Sequence, residues 1–426
     1  MNDITAIFIH YSDPTALSKA LMSLNSIRSR MKGVIVFQQG KGGIKRVPEV
    51  DWSDRIRLIP IEDQDEGDLL QDTINMIDTP YVLWLSGTDY LSSALTPDFL
   101  QLAGDQSVLG TVKHHRNITI QQPLLVCTSF LKQHPLLSSS ELPFKEARLP
   151  AWLSRVPDSE KFFKDGLVKE ARISNAKSTI EKQMFIEKYQ LRKADTKHPS
   201  LSIIMSAYNM EAYVQTAVSS CLMQNEQVEQ LLIIDDGSTD NTWQRLKRYR
   251  DHPRVYMFSK GNGGKARALN ALLPHATSDF ILELDVDDWL DPDAVSTIKQ
   301  QLAGLPDDVA VVYGNFRKWK QLQDDVLFKG IAKGTAVRGR KDLLAYRFPL
   351  GPRIYRTSVL KKDGGFPVID FAEGRLYEDI SVLNRLIKHH RFQYRDFTVY
   401  NIREHTESIT RQYHASWQDF LETLEE

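Results

Sequence analysis

Five aspartates give the first sign of chemistry. Asp235 and Asp236 stand in LLIIDDGSTDNT (Leu231–Thr242), and Asp285, Asp287 and Asp288 stand in ILELDVDD (Ile281–Asp288). Each group ends an apolar run of strand type, so the acids fall where a buried strand meets solvent. Between them lies the loop GNGGKARALN (Gly261–Asn270), rich in glycine and carrying Lys265 and Arg267. In an open parallel sheet, ligands bind at the carboxyl ends of the strands. Carboxylates converging there beside glycines and cations suit a hard divalent cation, Mg2+ or Mn2+, bridging to a diphosphate. Either cassette alone reads as well as a helix cap or a solvated turn. The two in order, with the loop between them, favour the metal and the diphosphate.

Positioning these residues requires a layered scaffold. LSIIMSAYN (Leu201–Asn209) reads as a strand ending in a polar turn. A helix follows, with Val214, Ala217, Val218, Cys221 and Leu222 on one face. Strand and helix then alternate through Val255–Phe258 to ILELDVDD, which predicts an α/β fold with a mainly parallel sheet. The earlier half repeats the pattern. IFIHYS (Ile7–Ser12) matches IMSAYN, VFQQG (Val36–Gly40) matches IIDDG, and VLWLSGTDYL (Val82–Leu91) matches ILELDVDDWL. The register holds across all three cassettes, which predicts two tandem domains of one kind. The intervening segment 162–198 is charged, nearly free of glycine and helix-prone, and reads as a helical connector. Leu167, Val168, Ile173, Ile180, Met184 and Phe185 would pack one face of it on a domain. The expected boundaries are 1–161, 162–198 and 199–426.

The ordered set SAYN, IIDDGSTDNT, LDVDD, GGF (Gly364–Phe366) and YEDISVLNRL (Tyr377–Leu386) resembles the family 2 glycosyltransferases. The likeness runs from Ser200 to about Arg411. It implies an inverting enzyme of GT-A fold, the fold of nucleotide-diphospho-sugar transferases. The donor implied is a nucleotide-diphospho-sugar, usually a UDP-sugar, with transfer of hexosyl or N-acetylhexosaminyl type. Ser206, Tyr208 and Asp236 match positions that hold the nucleobase. Their neighbours Asn209, Glu211 and Asp235 either shape that donor pocket or cap the next helix. Lys265 and Arg267 fall in the loop that helps bind base or diphosphate. Asp285 and Asp287 form the D-x-D pattern that contacts ribose and metal, and Asp287–Asp288 also reads as D-D. The resemblance therefore makes Asp287, Asp288 and His405 the candidate metal ligands for Mn2+ or Mg2+, and leaves open which acid binds directly.

Glu378–Asp379 match the family's E-D pair, and Asp379 is the general base that the resemblance implies. An acceptor hydroxyl is a poor nucleophile until a positioned carboxylate takes its proton. The metal then stabilises charge developing on the departing diphosphate. The helical period of SVLNRLIKHH also puts this pair at a helix start, where acids are favoured in any case. Arg353 and Arg356 lie in RIYRTSVLKKDGGF (Arg353–Phe366), similar to the segment that lines the acceptor site. IREHTESIT (Ile402–Thr410) resembles the family's Arg-x-His ending. Arg403 would order a closing loop, and His405 would reach the diphosphate or metal.

The first half lacks most of these groups. Gln38–Gln39 stand for Asp235–Asp236, Ser86 for Asp285 and Thr88 for Asp287, and only Asp89 keeps its acid. Neutral side chains coordinate a hard dication poorly. The loop changes sign from GNGGKAR to EDQDEGD (Glu62–Asp68), which would repel a diphosphate. Lys145 and Glu146 stand where an E-D pair is sought. The first half thus reads as a degenerate GT-A-like pseudo-domain, since fold and site are separable.

Bulk properties narrow the classes. Length 426 favours two domains, and 42% hydrophobic with 26% charged residues is the composition of a globular protein. A formal net charge of −1 gives no global field for nucleic acid. Cys127 and Cys221 have no metal-type spacing and exclude a disulfide scaffold. MNDITAIFIHYSD has no basic stretch before its short apolar run, and no apolar run reaches membrane-spanning length. These features place the chain in the cytoplasm, with contact at the inner face of a membrane left open. The partners expected are the donor and a glycan, lipid-linked or protein acceptor; a homo-oligomer is neither required nor excluded. Two other classes compete. A sugar-nucleotide pyrophosphorylase would carry a glycine- and arginine-rich loop after the first strand, where SAYNMEAY stands instead. A non-catalytic binding scaffold fits the first half but not the retained acids of the second.

Overall fold

The computed structural model describes residues 2–39, 50, 52–62, 64–102, 104–323, 325–346, 350–369, 371, 377–405, 419–420 and 422. The chain divides into two compact units, Met1–Gln190 and Leu191–Glu426. The first holds strands β1 (Ile4–Ile9), β2 (Met31–Gln39), β3 (Ile56–Ile61), β4 (Tyr81–Ser86), β5 (Asp89–Leu91), β6 (Val108–His115), β7 (Ile118–Cys127), β8 (Lys161–Asp165) and β9 (Val168–Glu170). The second holds β10 (Leu201–Ala207), β11 (Gln230–Asp235), β12 (Val255–Ser259), β13 (Phe280–Glu283), β14 (Trp289–Leu290), β15 (Val309–Gln321), β16 (Val326–Ala332), β17 (Arg353–Arg356) and β18 (Arg391–Glu404). Several central strands are near-continuous apolar runs. ITAIFI in β1 is buried at all six positions, as is QLLIID in β11. Helices cover both faces, so neither face of such a strand can be polar.

Strand order and sense coincide in the two units. Among the described residues the first sheet runs β3-β2-β1-β4-β7-β6-β8. Its first four strands are parallel, β7 is antiparallel to both neighbours, and β8 is parallel to β6. The second runs β12-β11-β10-β13-β17-β15-β18-β14 with the same senses at each matching step. Even the side strands agree: β5 pairs antiparallel with β9, and β14 with β18. The α/β class with two mainly parallel sheets is the one the sequence predicts. In register, Ile7 faces Trp84 in the first unit and Ile204 faces Glu283 in the second. Trp84 and Glu283 therefore occupy the same place in their sheets.

The segment 162–198 departs from a helical connector. Only Lys177–Glu187 forms an α-helix there, while Lys161–Asp165 and Val168–Glu170 are strands. Phe162 and Phe163 explain the difference, because strand alternation sends them to opposite faces. Phe162 packs against the core around Leu83 and Leu109, and Phe163 against the one around Val82 and Trp84. Aromatics favour a pleated, half-buried surface, and here that preference overrides the charged composition. Leu167, Val168 and Phe185 are buried, whereas Ile173 and Met184 are exposed. The segment through Gln190 thus completes the first unit. A fragment ending at Gln190 should therefore melt cooperatively. One ending at Glu160 should lose the cooperative transition in a circular-dichroism melt, because it lacks β8 and the buried Leu167, Val168 and Phe185.

Candidate active site

Three parallel strands of the second unit end on the residues singled out above. Ser206 lies near the end of β10, half-buried, and Asp235 ends β11. Gly237 follows with φ +76°, and a Cβ there would come within 2.6 Å of the Asn262 amide, so only glycine fits this turn. The loops after β10 and β11 are laced together. Asn209 Oδ1 accepts from the Thr239 amide at 2.8 Å, and Glu211 Oε2 from the Asn241 amide at 3.0 Å. The Glu211 amide in turn donates to Asp240 Oδ2. Asn209 and Glu211 therefore fix the loop, leaving Tyr208 exposed at its tip. Asp236 faces inward: it accepts from Lys260 Nζ at 2.7 Å and from the Gly263 and Gly264 amides at 3.0 and 2.7 Å. That carboxylate shapes the glycine-rich loop from beneath. Asp235 is buried too, and its Oδ1 accepts no hydrogen bond among the described residues.

The centre of the site is an ionic cluster that sequence reading only half found. Glu283, the acid inside the apolar run ILELD, is 1% exposed. Its two oxygens accept from Arg353 Nε and Nη2 at 2.9 Å each, and Tyr355 Oη donates at 3.1 Å. Lys265 Nζ stands 2.9 Å from Glu283, 2.6 Å from Asp285 and 3.1 Å from Glu378. Arg353 also approaches Asp285 and Asp379, each at 3.5 Å. Two cations thus tie together four carboxylates that lie almost 100 residues apart in sequence. Burial would raise the Glu283 carboxyl, but Arg353 and then Lys265 outweigh it and hold the group far below the usual range. Burial would lower the Lys265 ammonium, yet Asp285, Glu283 and Glu378 hold it well above its ordinary value. Glu378 is raised, by burial first and then by Asp379 and Glu283 against the pull of Lys265.

Glu378 and Asp379 open the helix Glu378–Leu386, where the helix dipole favours acids. The residue before them, Tyr377, has φ +60° and ψ 26°, a left-handed conformation costing about 1–3 kcal/mol and typical of functional sites. A second group gathers on β18. Arg403 donates its amide to Asp288 Oδ1 at 2.8 Å and its Nε to the Asp287 carbonyl at 2.8 Å. Its guanidinium lies over the Tyr213 and Trp289 rings at 4.8 and 4.7 Å. Asp288 is 5% exposed, and burial, then Asp287 and Asp285, push its carboxyl well up. Asp287 is more open, with Oδ2 3.0 Å from His405 Nε2. Carboxylate and imidazole together suit Mn2+, and their convergence at a strand end fits a divalent cation. Among the described residues no three such side chains converge.

Two arginines stand outside the cluster. Arg356 pairs with Phe280 at the opposite end of β13 from Glu283, stacks on that ring, and donates to the Val309 and Pro306 carbonyls. The pleat and three residues of strand separate it from Arg353. Arg267 is exposed and folds back onto the Gly263 carbonyl at 2.8 Å. Thr406–Thr410 of the Arg-x-His segment, the far limit of the likeness at Arg411, and Asp63 of the acidic loop lie outside the described residues. Glu283, Lys260 and Tyr355 went unnoticed in the sequence. The available signal was a lone acid in a strand otherwise apolar on both faces.

The geometry defines an α/β protein with a cluster of acids at the carboxyl ends of a parallel sheet. Residues 202–362 match the family described as Glycosyl transferase family 2. Among relatives, a chondroitin synthase of Pasteurella multocida is 46% identical over 98 residues, 23% of this chain and 10% of that protein. An uncharacterized glycosyltransferase of Haemophilus influenzae is 36% identical over 120 residues, 28% of this chain and 47% of that protein. The matches thus span less than half of either relative. The structure of S. aureus TarS in complex with UDP-GlcNAc aligns with a TM-score of 0.36 at 24% identity, covering 49% of this chain and 60% of that one. No helix among the described residues is long and apolar enough to cross a membrane.

The matching places of the first unit carry inverted charges. Its helix Glu66–Met76 starts where the second unit's helix Lys265–Leu272 starts, and Arg148–Arg155 corresponds to Glu378–Leu386. Arg148 Nη2 meets Glu66 Oε2 at 3.2 Å, and His10 Nε2 meets Glu66 Oε1 at 3.0 Å. The Lys265–Glu378 pair is thereby answered by Glu66–Arg148, and Glu283 by the buried Trp84. Asp89, the one acid retained, is fully buried; it meets Lys113 Nζ at 2.5 Å and accepts from Gln122 at 3.0 Å. Burial would raise Glu66, but His10, then Arg148 and Lys145, bring it from 4.5 to about 2. A carboxyl lowered on folding adds stability that is complete above pH 4.5 and disappears as pH falls towards 2. Acid unfolding of the 1–190 fragment should therefore be shallower over that window in Glu66→Gln, as read by denaturant midpoints at successive pH values.

Proposed function

We propose that the second unit is an inverting glycosyltransferase that moves a sugar from a nucleotide-diphospho-sugar, a UDP-sugar by resemblance, to an acceptor hydroxyl. The observation that carries this reading is the meeting of Asp285, Glu378 and Asp379 around Lys265 and Arg353 at the strand ends. Asp379 takes the acceptor proton as the hydroxyl oxygen attacks the anomeric carbon. Arg353, 3.5 Å away, orients that carboxylate. Lys265, still 27% exposed, is the cation available to the diphosphate. The buried Asp235 Oδ1 and exposed Tyr208 suit a nucleobase, which offers N–H groups and a stacking face. Asp287 and His405 would hold a divalent cation, which when bound neutralises charge on the leaving diphosphate. Asp288 anchors β18 instead, being buried against the Arg403 amide. Acceptance by a glycan is supported by the likeness to a chondroitin synthase. The first unit is a pseudo-domain without donor chemistry, supported by Glu66, Trp84 and Arg148 at the matching places.

Asp379→Asn should lower sugar transfer by about 100- to 10,000-fold, the usual worth of a general base. UDP binding by calorimetry should stay within about threefold, at one site per chain. Wild-type turnover in this variant would remove Asp379 from the base role, and two sites per chain would contradict the pseudo-domain. Asp287→Ala should make UDP affinity the same with and without Mn2+; a preserved metal response would move that role to other ligands.

A further inference from the structure

We infer that Glu283 is a positioning residue for the transfer: from inside the sheet it sets the two cations that orient Asp379, Glu378 and Asp285. The inference rests on the glycosyltransferase reading and adds a residue outside its reacting groups. At 1% exposure Glu283 cannot reach a donor or an acceptor. All of its acceptor capacity is turned inward, to two N–H groups of Arg353, to Lys265 and to Tyr355. Each cation it holds then extends to groups at the surface. Arg353 Nη1 lies 3.5 Å from Asp379, and Lys265 Nζ lies 3.1 Å from Glu378 and 2.6 Å from Asp285. The bidentate clasp fixes the plane of the guanidinium, which a single contact to Asp379 would leave free to turn. Without Glu283, both cations would be free to collapse onto Asp285 and Asp379, masking the base and closing the diphosphate site.

The first unit supplies an internal comparison. Where Trp84 replaces this carboxylate, the cation at the start of the preceding helix is replaced by Glu66. The acid at the start of the later helix is likewise replaced by Arg148. All three places differ together, as expected if the carboxylate in the strand is what holds the helix-start lysine in position.

The test measures turnover of UDP-N-acetylglucosamine and UDP-glucose by the full chain, with water as acceptor where no better one is known, alongside thermal melts. Glu283→Gln should lower kcat at least tenfold while KM for the donor stays within about threefold. Glu283→Asp, which restores the charge on a shorter arm, should recover at least a fivefold part of that loss. Tyr355→Phe removes one donor to Glu283 without changing volume or charge, and should lower kcat by about twofold to fivefold at constant KM. If Glu283→Gln fails to melt cooperatively, Tyr355→Phe decides. Folded variants with wild-type kcat, or losses that fall equally on KM, overturn the positioning role while leaving the function reading intact. A wild-type chain that turns over neither these donors nor other nucleotide sugars defeats both.

Discussion

The second unit depends on one buried ion pair. Glu283 and Arg353 face each other across β13 and β17, both nearly sealed from water. Burying two charges is costly, and removing one partner of such a pair typically costs about 3–5 kcal/mol, because the other is left uncompensated. A pair of well-packed apolar residues would stabilise that position at least as well, and the first unit has a buried tryptophan there. The ion pair is therefore poorly explained as a stability device. It makes sense as the anchor of Lys265 and Arg353, which lets a crowd of carboxylates keep a fixed arrangement. Positive charge inside the sheet offsets negative charge at its mouth.

Much of this was legible in the sequence. Apolar runs ending in acids gave the parallel strands and the end of the sheet where the acids gather. The shared spacing of VLWLSGTDYL and ILELDVDDWL anticipated two units whose strand orders coincide. Pairings between distant segments were not legible. Arg353 and Arg356 looked equivalent on paper, yet the antiparallel register of β17 sends one to the acids and the other to the far end of β13. The bonds from the Gly263 and Gly264 amides to Asp236, which set that carboxylate under the loop, could not be read from spacing either. Segment 162–198 misled for a different reason: its composition is helical, while two adjacent phenylalanines and a sheet edge with unpaired backbone groups made strand pairing the better use of it.

The retained Asp89 gains a plain explanation from the same geometry. Asp89 and Asp288 occupy matching places, and both are buried and satisfied by their own unit. One meets Lys113 and Gln122, the other the Arg403 amide and Tyr400. A residue with a packing task persists whether or not its neighbours keep a chemical one. Shared identity at this place therefore says little about shared activity. The differences at Glu283, Lys265 and Glu378 say much more.

Those three places also determine how one arrangement could ever become the other. Giving Trp84 a carboxylate would bury a charge in a unit that has Leu124 within its core and an acid, not a lysine, at the preceding helix start. Reversing Glu66 alone would set a lysine against Arg148 and His10. Reversing Arg148 alone would do the same with two acids. Each of these three changes, made alone, leaves a charge without its opposite, so no one of them converts one charge pattern into the other. In each unit the charges at these places are matched to one another, and the match ties their identities together.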